Sequence, residues 1–145
     1  MPAVPGLRSP YATLEKLVYV GRMFDKIRLH ARGELPADYV PFLSKGLDGR
    51  ACAFLRIDYA ALRDRVLAGG TDAEILAWAF ATGGERDDHV REIWSQFLIK
   101  LGWNDDRTHF LVKRLQEEGM DGRGLFTFFD WIEADEGRDP TRRGQ

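Results

Sequence analysis

The chain has 145 residues, of which 44% are hydrophobic and 30% charged, a composition typical of one ordinary globular domain. Its 21 basic and 23 acidic residues give a net charge of −2, which argues against a dedicated nucleic-acid binder. No apolar run approaches the ~20 residues that span a bilayer. The N-terminus lacks the apolar segment of a secretory signal, and the single cysteine, Cys52, excludes an intrachain disulfide. We therefore expect a cytoplasmic protein without membrane association.

The N-terminal segment, 1–10, is expected to form an ordered arm because Pro5, Gly6 and Pro10 restrict its backbone. Ser9 and Pro10 then form a cap-and-start signal for a helix. The pattern predicts that the first helix runs from about Tyr11 to about His30.

This first helix contains charges in an apolar setting. On a wheel with 3.6 residues per turn, Asp25 and Arg28 fall on the apolar side, while Arg22 and Lys26 point away. Residues three apart in a helix can meet, and burying either charge alone would cost several kcal/mol. The sequence therefore predicts a partnered polar site in the core. It is either an internal ion pair, with Arg8 as a further partner, or part of a functional pocket.

Shorter helices are expected after a loop or helical turn over 34–47, which contains two prolines. Val90, Ile93, Trp94, Phe97, Leu98 and Leu101 have the spacing of an amphipathic helix. The last helix is built on LFTFFDWIEAD, 125–135. The expected helix starts are Asp48, Asp58, Thr71 with its capping-box partner Glu74, Asp87 or Asp88, and Asn104 or Asp105.

No stretch sustains the two-residue alternation of a half-buried strand. We therefore predict an all-α fold, with one globular domain over 1–145 and about six or seven helices. A frayed polar tail is expected over 137–145.

The sequence offers weak support for metal or nucleophile chemistry. His30, His89 and His109 lack zinc-helix spacing, and one cysteine cannot build a cysteine-rich site. We expect no metal and no cofactor. Cys52 stands among apolar residues, which is typical of an inert core thiol, although Arg50 is close enough in sequence to lower its pKa.

Acid–base chemistry is the remaining enzymatic option. A carboxylate beside an arginine should be ionised and too acidic for a general base. Whether the protein is an enzyme therefore stays open. The candidate polar site consists of Arg22, Asp25, Arg28, Asp48 and Arg50.

Aromatic residues form a second kind of candidate. They either pack in the core or form an exposed patch that binds a partner or a second copy of the chain. The candidate interface residues are Trp78, Trp103, Phe126 and Trp131.

Six segments resemble a bacterial family defined only as domain of unknown function five-zero-six-nine (DUF5069). The resemblance implies a soluble, helical protein and carries over no activity, cofactor or catalytic residue. The segments are GLRSP (6–10), GRMFDKIRLH (21–30), GLDGR (46–50), FLRIDYAALRDRV (54–66), TDAEILAW (71–78) and FFDWIEADEGR (128–138).

Two functions stay open at this point. The first is a protein-interaction or homodimerising module that uses the aromatic candidates. The alternative is an enzyme or small-molecule binder with a polar pocket around Asp25, Arg28 and the turn over 46–50. Nucleic-acid binding is disfavoured by the charge balance.

Overall fold

A short hairpin follows the N-terminal arm. In the computed structural model, which describes residues 3–140, Thr13–Leu14 (β1) pairs antiparallel with Leu17–Val18 (β2). The two linking residues, Glu15 and Lys16, have φ values of 46° and 71°, as a type I′ turn requires. The prediction that a helix begins near Tyr11 is therefore wrong. A short apolar run suits either a helix or a strand, and here the hairpin buries both residues of β2.

The helices follow in chain order with short connections. Over the described range they confirm the predicted helical fold, to which the hairpin adds a small sheet. No helix within that range is long and apolar enough to cross a membrane. The helices are α1 Val20–Ala31, a 3₁₀ helix Ala37–Phe42, α2 Leu47–Leu55, α3 Tyr59–Leu67, α4 Asp72–Gly83, α5 Asp88–Lys100, α6 Thr108–Glu117 and α7 Phe128–Asp135.

Side-chain caps begin three helices where the sequence predicts them. Asp58 accepts a hydrogen bond from the Ala61 amide, and Asp87 accepts one from the Val90 amide. Thr71 and its partner in the first turn of α4 form the complete capping box.

Two predicted helix starts are wrong. The cap of α2 is Gly46, and Asp48 lies fully buried in the first turn. The carboxylate of Asp48 is bonded to side chains of the core, as described below. In the connection before α6, Asp105 accepts from the Arg107 amide at 2.8 Å, so the helix itself begins only at Thr108.

Helix α1 lies at the centre of the fold, where the hairpin and α3 pack against it. Because neighbouring elements surround it, all of its residues from 20 to 27 are buried, aliphatic and charged alike. Arg22 and Lys26 are among the buried residues. The prediction that they point away from the core is therefore wrong, and each needs a partner inside the protein.

Helix α5 turns a different face inward than the apolar pattern predicts. Ser95 and Leu98 are its buried residues, while Ile93 is 56% exposed. The Ser95 hydroxyl donates to the Lys16 carbonyl at 3.0 Å and accepts from the Val18 amide at 3.3 Å. These bonds tie α5 to the hairpin and place part of the predicted apolar stripe at the surface.

We expect Gly83→Ala to destabilise the fold, although helix propensity alone favours alanine. A Cβ at Gly83 would collide with the Leu55 carbonyl oxygen and lie 3.1 Å from that of Arg56. Overpacking of this kind costs about 2 kcal/mol, measurable by urea unfolding. Gly49→Ala is the matched control because its Cβ would meet only the Ser44 carbonyl, at 3.4 Å. Equal stability of the two variants would contradict this packing account.

Candidate functional site

Asp25 and Arg28 belong to a charge network that fastens the N-terminal arm to α1 and α4. Asp25 accepts bonds from the Arg8 amide, Nε and Nη2 at 3.0, 2.8 and 3.0 Å. Arg28 lies 3.6 Å from Asp25 and 2.8 Å from Asp72, which also pairs with Arg8 at 2.9 Å. The predicted contact between Asp25 and Arg28 is therefore present, with Arg8 as the stronger partner. This geometry favours an internal ion pair.

Gly21 makes room for this network. Arg8 lies across α1 and donates from Nη2 to the Gly21 carbonyl at 2.9 Å. A Cβ at Gly21 would lie 2.7 Å from the guanidinium carbon of Arg8. The segment from the arm can therefore approach the helix only because this position has no side chain.

A second buried network joins α1 to the residue after α7. Arg22 donates through both terminal nitrogens to Glu136, at 2.9 and 2.6 Å. Glu136 also accepts from the Tyr39 hydroxyl at 2.8 Å and from Arg138 at 2.6 Å. Burial disfavours the charged carboxylate, but its bonds to Arg22, Tyr39 and Arg138 outweigh that effect and hold the pKa of Glu136 below its usual value.

A third network consists of Tyr19, Lys26 and Asp48. The Tyr19 hydroxyl donates to Asp48 Oδ1 at 2.6 Å. Lys26 Nζ donates to the Tyr19 oxygen at 2.9 Å and lies 2.7 Å from the same carboxylate oxygen. Burial lowers the pKa of Lys26, against the opposing effect of Asp48. Burial and the Asp48 charge raise the pKa of Tyr19 well above its usual value.

The backbone of Tyr19 is in an uncommon conformation, with φ 71° and ψ −33° immediately before α1. A bulky residue at positive φ is strained, typically by 1–3 kcal/mol, and persists only where its surroundings hold it. Here the hydroxyl is bonded to Asp48, and the ring stacks on Phe129 with centroids 6.2 Å apart. These contacts hold the hydroxyl in the third network.

A cleft of about 760 Å³ opens above the second and third networks. Its floor includes Tyr19, Arg22, Lys26 and Glu136, whereas Gly46 with the start of α2, α6 and α7 contribute to its walls. Four aromatic residues add flat apolar surface: Phe42, Phe110, Phe128 and Trp131.

The cleft has many more basic than acidic side chains. Arg22 and Lys26 are paired within it, and Lys113 and Arg114 have only distant carboxylate partners, at 3.8 and 3.9 Å. Among residues 3–140, no carboxylate forms a salt bridge with the three other basic residues. Those are Lys45, Arg50 and Arg107, and the acidic residues of the lining are Glu117, Asp135 and Glu136.

Residues 4–138 match the family described as Domain of unknown function (DUF5069). The chain belongs to this family. No curated protein matches it. Since the family description assigns no activity, the function of this DUF5069 protein has to be argued from its own residues.

The structure divides the candidate polar residues between the networks. Arg22 and Arg50 line the cleft, and Asp48 lies directly behind its floor through Tyr19 and Lys26. Asp25 and Arg28 contribute to neither this cleft nor the second cavity described below. The predicted turn over 46–50 is the cap and first turn of α2 and lies at the cleft, whereas the Asp25 pair lies outside it.

The candidate interface residues are also separated. Trp103 and Phe126 are 56% and 62% exposed. Trp78 is half-buried against the core. Trp131 lines the cleft, where its indole nitrogen donates to Glu118 at 2.6 Å.

Two further features of the DUF5069 protein concern a cysteine nucleophile and a metal site. Burial, aided by the charges of Asp48 and Asp58, raises the pKa of Cys52 to about 11, which disfavours a thiolate nucleophile. Within residues 3–140, no group of three or more His, Cys, Asp or Glu residues is arranged to hold a metal ion.

A second cavity, of about 630 Å³, lies between the hairpin and α5. Its charged lining is mixed, because Lys16 pairs with Asp88 at 2.7 Å and Glu92 lies nearby. It lacks the concentration of basic side chains found in the larger cleft.

Tyr19 and Lys26 were missed as site residues by the sequence reasoning. Arg22 and Lys26 stand at i and i+4, on one side of α1, and Tyr19 stands three residues before Arg22 at the N-cap. That polar stripe was a usable signal. A helical wheel with a single buried side hides this signal, because all residues of α1 from 20 to 27 are buried.

The described part of the predicted frayed tail is partly anchored. Arg138 donates to Glu136 at 2.6 Å and to the Leu7 carbonyl at 2.8 Å. The rest of that prediction, from residue 141 onward, lies outside the described residues.

The second network predicts an acid-sensitive fold. Because the pKa of Glu136 is lower in the folded state, its carboxylate stabilises the fold fully above the usual pKa of 4.5. This stabilisation is lost as the pH falls through the lower pKa of the folded state. We expect Glu136→Gln to lower the free energy of unfolding near pH 7 by about 3 kcal/mol, since it leaves Arg22 unpaired. The variant should also lose less stability than the parent on acidification.

Urea unfolding between neutral and acid pH measures both effects. Glu117→Gln is the control because Glu117 is exposed and its ion pair with Lys113 is long, at 3.8 Å. If Glu136→Gln and the parent lose equal stability on acidification, the role given to Glu136 is wrong.

Proposed function

We propose that this DUF5069 protein binds a small anionic molecule that has a flat apolar part, and that the ligand occupies the cleft. The observation that carries the proposal is the concentration of basic and aromatic side chains around one cavity of about 760 Å³. Small-molecule sites are typically concave and apolar, with a few polar groups that orient the ligand.

Charge supports an anionic ligand. The whole chain has a net charge of −2, so the basic cleft does not follow from composition. A cavity lined by one sign of charge concentrates ions of the opposite sign. An anionic ligand would balance the excess of positive charge in the lining.

The cations divide into two groups by their partners. Arg22 and Lys26 on the floor are neutralised by Glu136 and Asp48. Lys45, Arg50 and Arg107 are the better candidates for holding an anion, since the described residues provide no salt bridge for them. A guanidinium also suits carboxylate or phosphate oxygens because it can donate two parallel hydrogen bonds.

This proposal retains the sequence-based hypothesis of a small-molecule pocket but changes its position. Arg50 and the start of α2 belong to the proposed site, whereas Asp25 and Arg28 hold the N-terminal arm.

A protein-interaction or homodimerising role is the second candidate. It is favoured by Trp103 and Phe126, whose large side chains are more than half exposed. Exposed aromatic residues of this kind are enriched at protein interfaces.

We further propose that the protein acts in a bacterial cytoplasm. Its one cysteine is free and buried, which suits a reducing compartment. Fractionation of the source cells would test this, and recovery outside the cytoplasm would contradict it.

Ligand binding can be followed at Trp131, one of four tryptophans. We expect phenyl phosphate to shift the NMR signal of the Trp131 indole N–H, while benzyl alcohol, which has the ring without the charge, has little effect. The double variant Lys45→Ala/Arg50→Ala should bind phenyl phosphate about tenfold more weakly, a loss of about 1.4 kcal/mol.

Arg63→Ala is the matched control, because Arg63 is an exposed arginine of α3 that does not line the cleft. If phenyl phosphate leaves Trp131 unchanged, or if Arg63→Ala weakens binding as much as the double variant, anion binding in the cleft is not supported.

For the second candidate, sedimentation equilibrium measures association directly. We expect Trp103→Ser/Phe126→Ser to weaken any self-association of the parent protein, because it removes the exposed aromatic surface. Leu67→Ser is the control, as Leu67 is exposed on α3. A parent protein that stays monomeric up to high concentration argues against homodimerisation.

A further inference from the structure

The floor of the cleft presents a primary amine between a carboxylate and a hydroxyl group. We propose that Lys26 condenses with an aldehyde or 2-oxo acid that carries an anionic group, forming an imine through Nζ. This inference rests on the proposed anion-binding cleft and names the chemical class of its ligand.

The position of Lys26 supports the reaction. Its side chain is 8% exposed, and the residue helps to line the cleft. An amine needs access to the carbonyl carbon on one side and a proton acceptor on the other. Asp48 Oδ1 is 2.7 Å from Nζ, so the acceptor is already in hydrogen-bond contact.

Tyr19 completes the proton path. Its hydroxyl oxygen accepts from Lys26 at 2.9 Å and its proton is donated to Asp48 at 2.6 Å. The three polar groups therefore form a closed triangle of hydrogen bonds. The strained backbone of Tyr19 directs this hydroxyl to the only lysine of the cleft floor.

The reaction balances with these groups alone. The Lys26 ammonium transfers one proton to Asp48, and the resulting amine attacks the carbonyl carbon to form a C–N bond. Protons from the former ammonium, passed through Asp48 and Tyr19, convert the carbonyl oxygen to water. The C–O bond then breaks, and Nζ keeps one hydrogen in a protonated imine.

Charge also favours this product. The protonated imine carries the same positive charge as the lysine ammonium it replaces, so Asp48 is again paired with a cation once the imine has formed. Breaking a buried ion pair by removing one partner typically costs several kcal/mol, and imine formation avoids that cost. The lowered pKa of Lys26 adds to this by making the neutral amine easier to reach at a given pH.

The anionic group of the ligand would meet the cations of the walls. Lys45, Arg50 and Arg107 line the same cleft as Lys26. A ligand held there by its carboxylate or phosphate would present its carbonyl carbon to an amine that solvent scarcely reaches.

The test is reductive trapping of the parent protein with phenylpyruvate and sodium cyanoborohydride, followed by peptide mapping. The chain has five lysines, Lys16, Lys26, Lys45, Lys100 and Lys113. Side chains of Lys16 and Lys113 are 63% and 76% exposed, so exposure alone predicts that Lys26 reacts last. We expect Lys26 to react first, by at least about tenfold, because positioned acid–base groups accelerate the step.

Phenylacetone is the matched probe because it keeps the ring and the ketone but has no carboxylate. We expect it to label Lys26 about tenfold less, a difference of about 1.4 kcal/mol. Equal labelling by both probes would overturn the requirement for an anionic group. Labelling that follows exposure, with Lys26 unmodified, would overturn the imine itself.

Two variants separate chemistry from folding. Lys26→Arg keeps a positive charge opposite Asp48 and should lose the adduct while still shifting the Trp131 signal with phenyl phosphate. Tyr19→Phe keeps the ring and should slow trapping and alter its pH–rate profile; an unchanged profile would remove Tyr19 from the proton path.

The two proposals fail in different ways. A Trp131 shift with phenyl phosphate, without a Lys26 adduct from phenylpyruvate, overturns the imine and leaves the cleft as an anion site. Failure of both readouts overturns the proposed function as well.

Discussion

The need to pair buried charges on α1 organises much of this protein. The helix carries Arg22, Asp25 and Lys26 into an interior where an unpartnered charge would cost several kcal/mol. Each is met by a group from elsewhere: Glu136 after α7, Arg8 in the arm, and Asp48 in α2. The positions of the arm, the second helix and the end of the last helix are therefore linked to the charges of a single helix.

The networks differ in what surrounds them. Asp25 and Arg8 close the arm over the helix, where Gly21 leaves space for the guanidinium. Tyr19 and Lys26 belong to the floor of the larger cleft, and Asp48 lies behind them, bonded to both. One side of α1 thus serves attachment, and the other places polar chemistry beside an open volume. A satisfied polar network in a low-dielectric setting is stiff, which suits a site that has to hold groups in a fixed relation.

Helix identity and capping could be predicted from the sequence because they depend on neighbouring residues. Thr71 with Glu74 and Asp58 each act within one helical turn. The hairpin was missed because Leu17 and Val18 suit either kind of element. The cleft could not be derived, since Lys26 and Asp48 are brought together by packing of two helices. A search for the Tyr19, Arg22 and Lys26 stripe would have found one half of the floor, but its carboxylate partners are set by tertiary structure.

The bond between Arg22 and Glu136 joins positions near opposite ends of the described chain. Tyr11 is joined to Asp130 in the same way, at 2.8 Å. During synthesis the ribosome releases the arm, the hairpin and α1 long before either partner exists. The interior around Arg22 therefore cannot close on a partial chain, and completion of this core has to wait until the residues after α7 have left the ribosome. Until then Arg22 lacks the carboxylate that pairs with it in the folded protein, so folding of this core is completed only after α7 and Glu136 have been made.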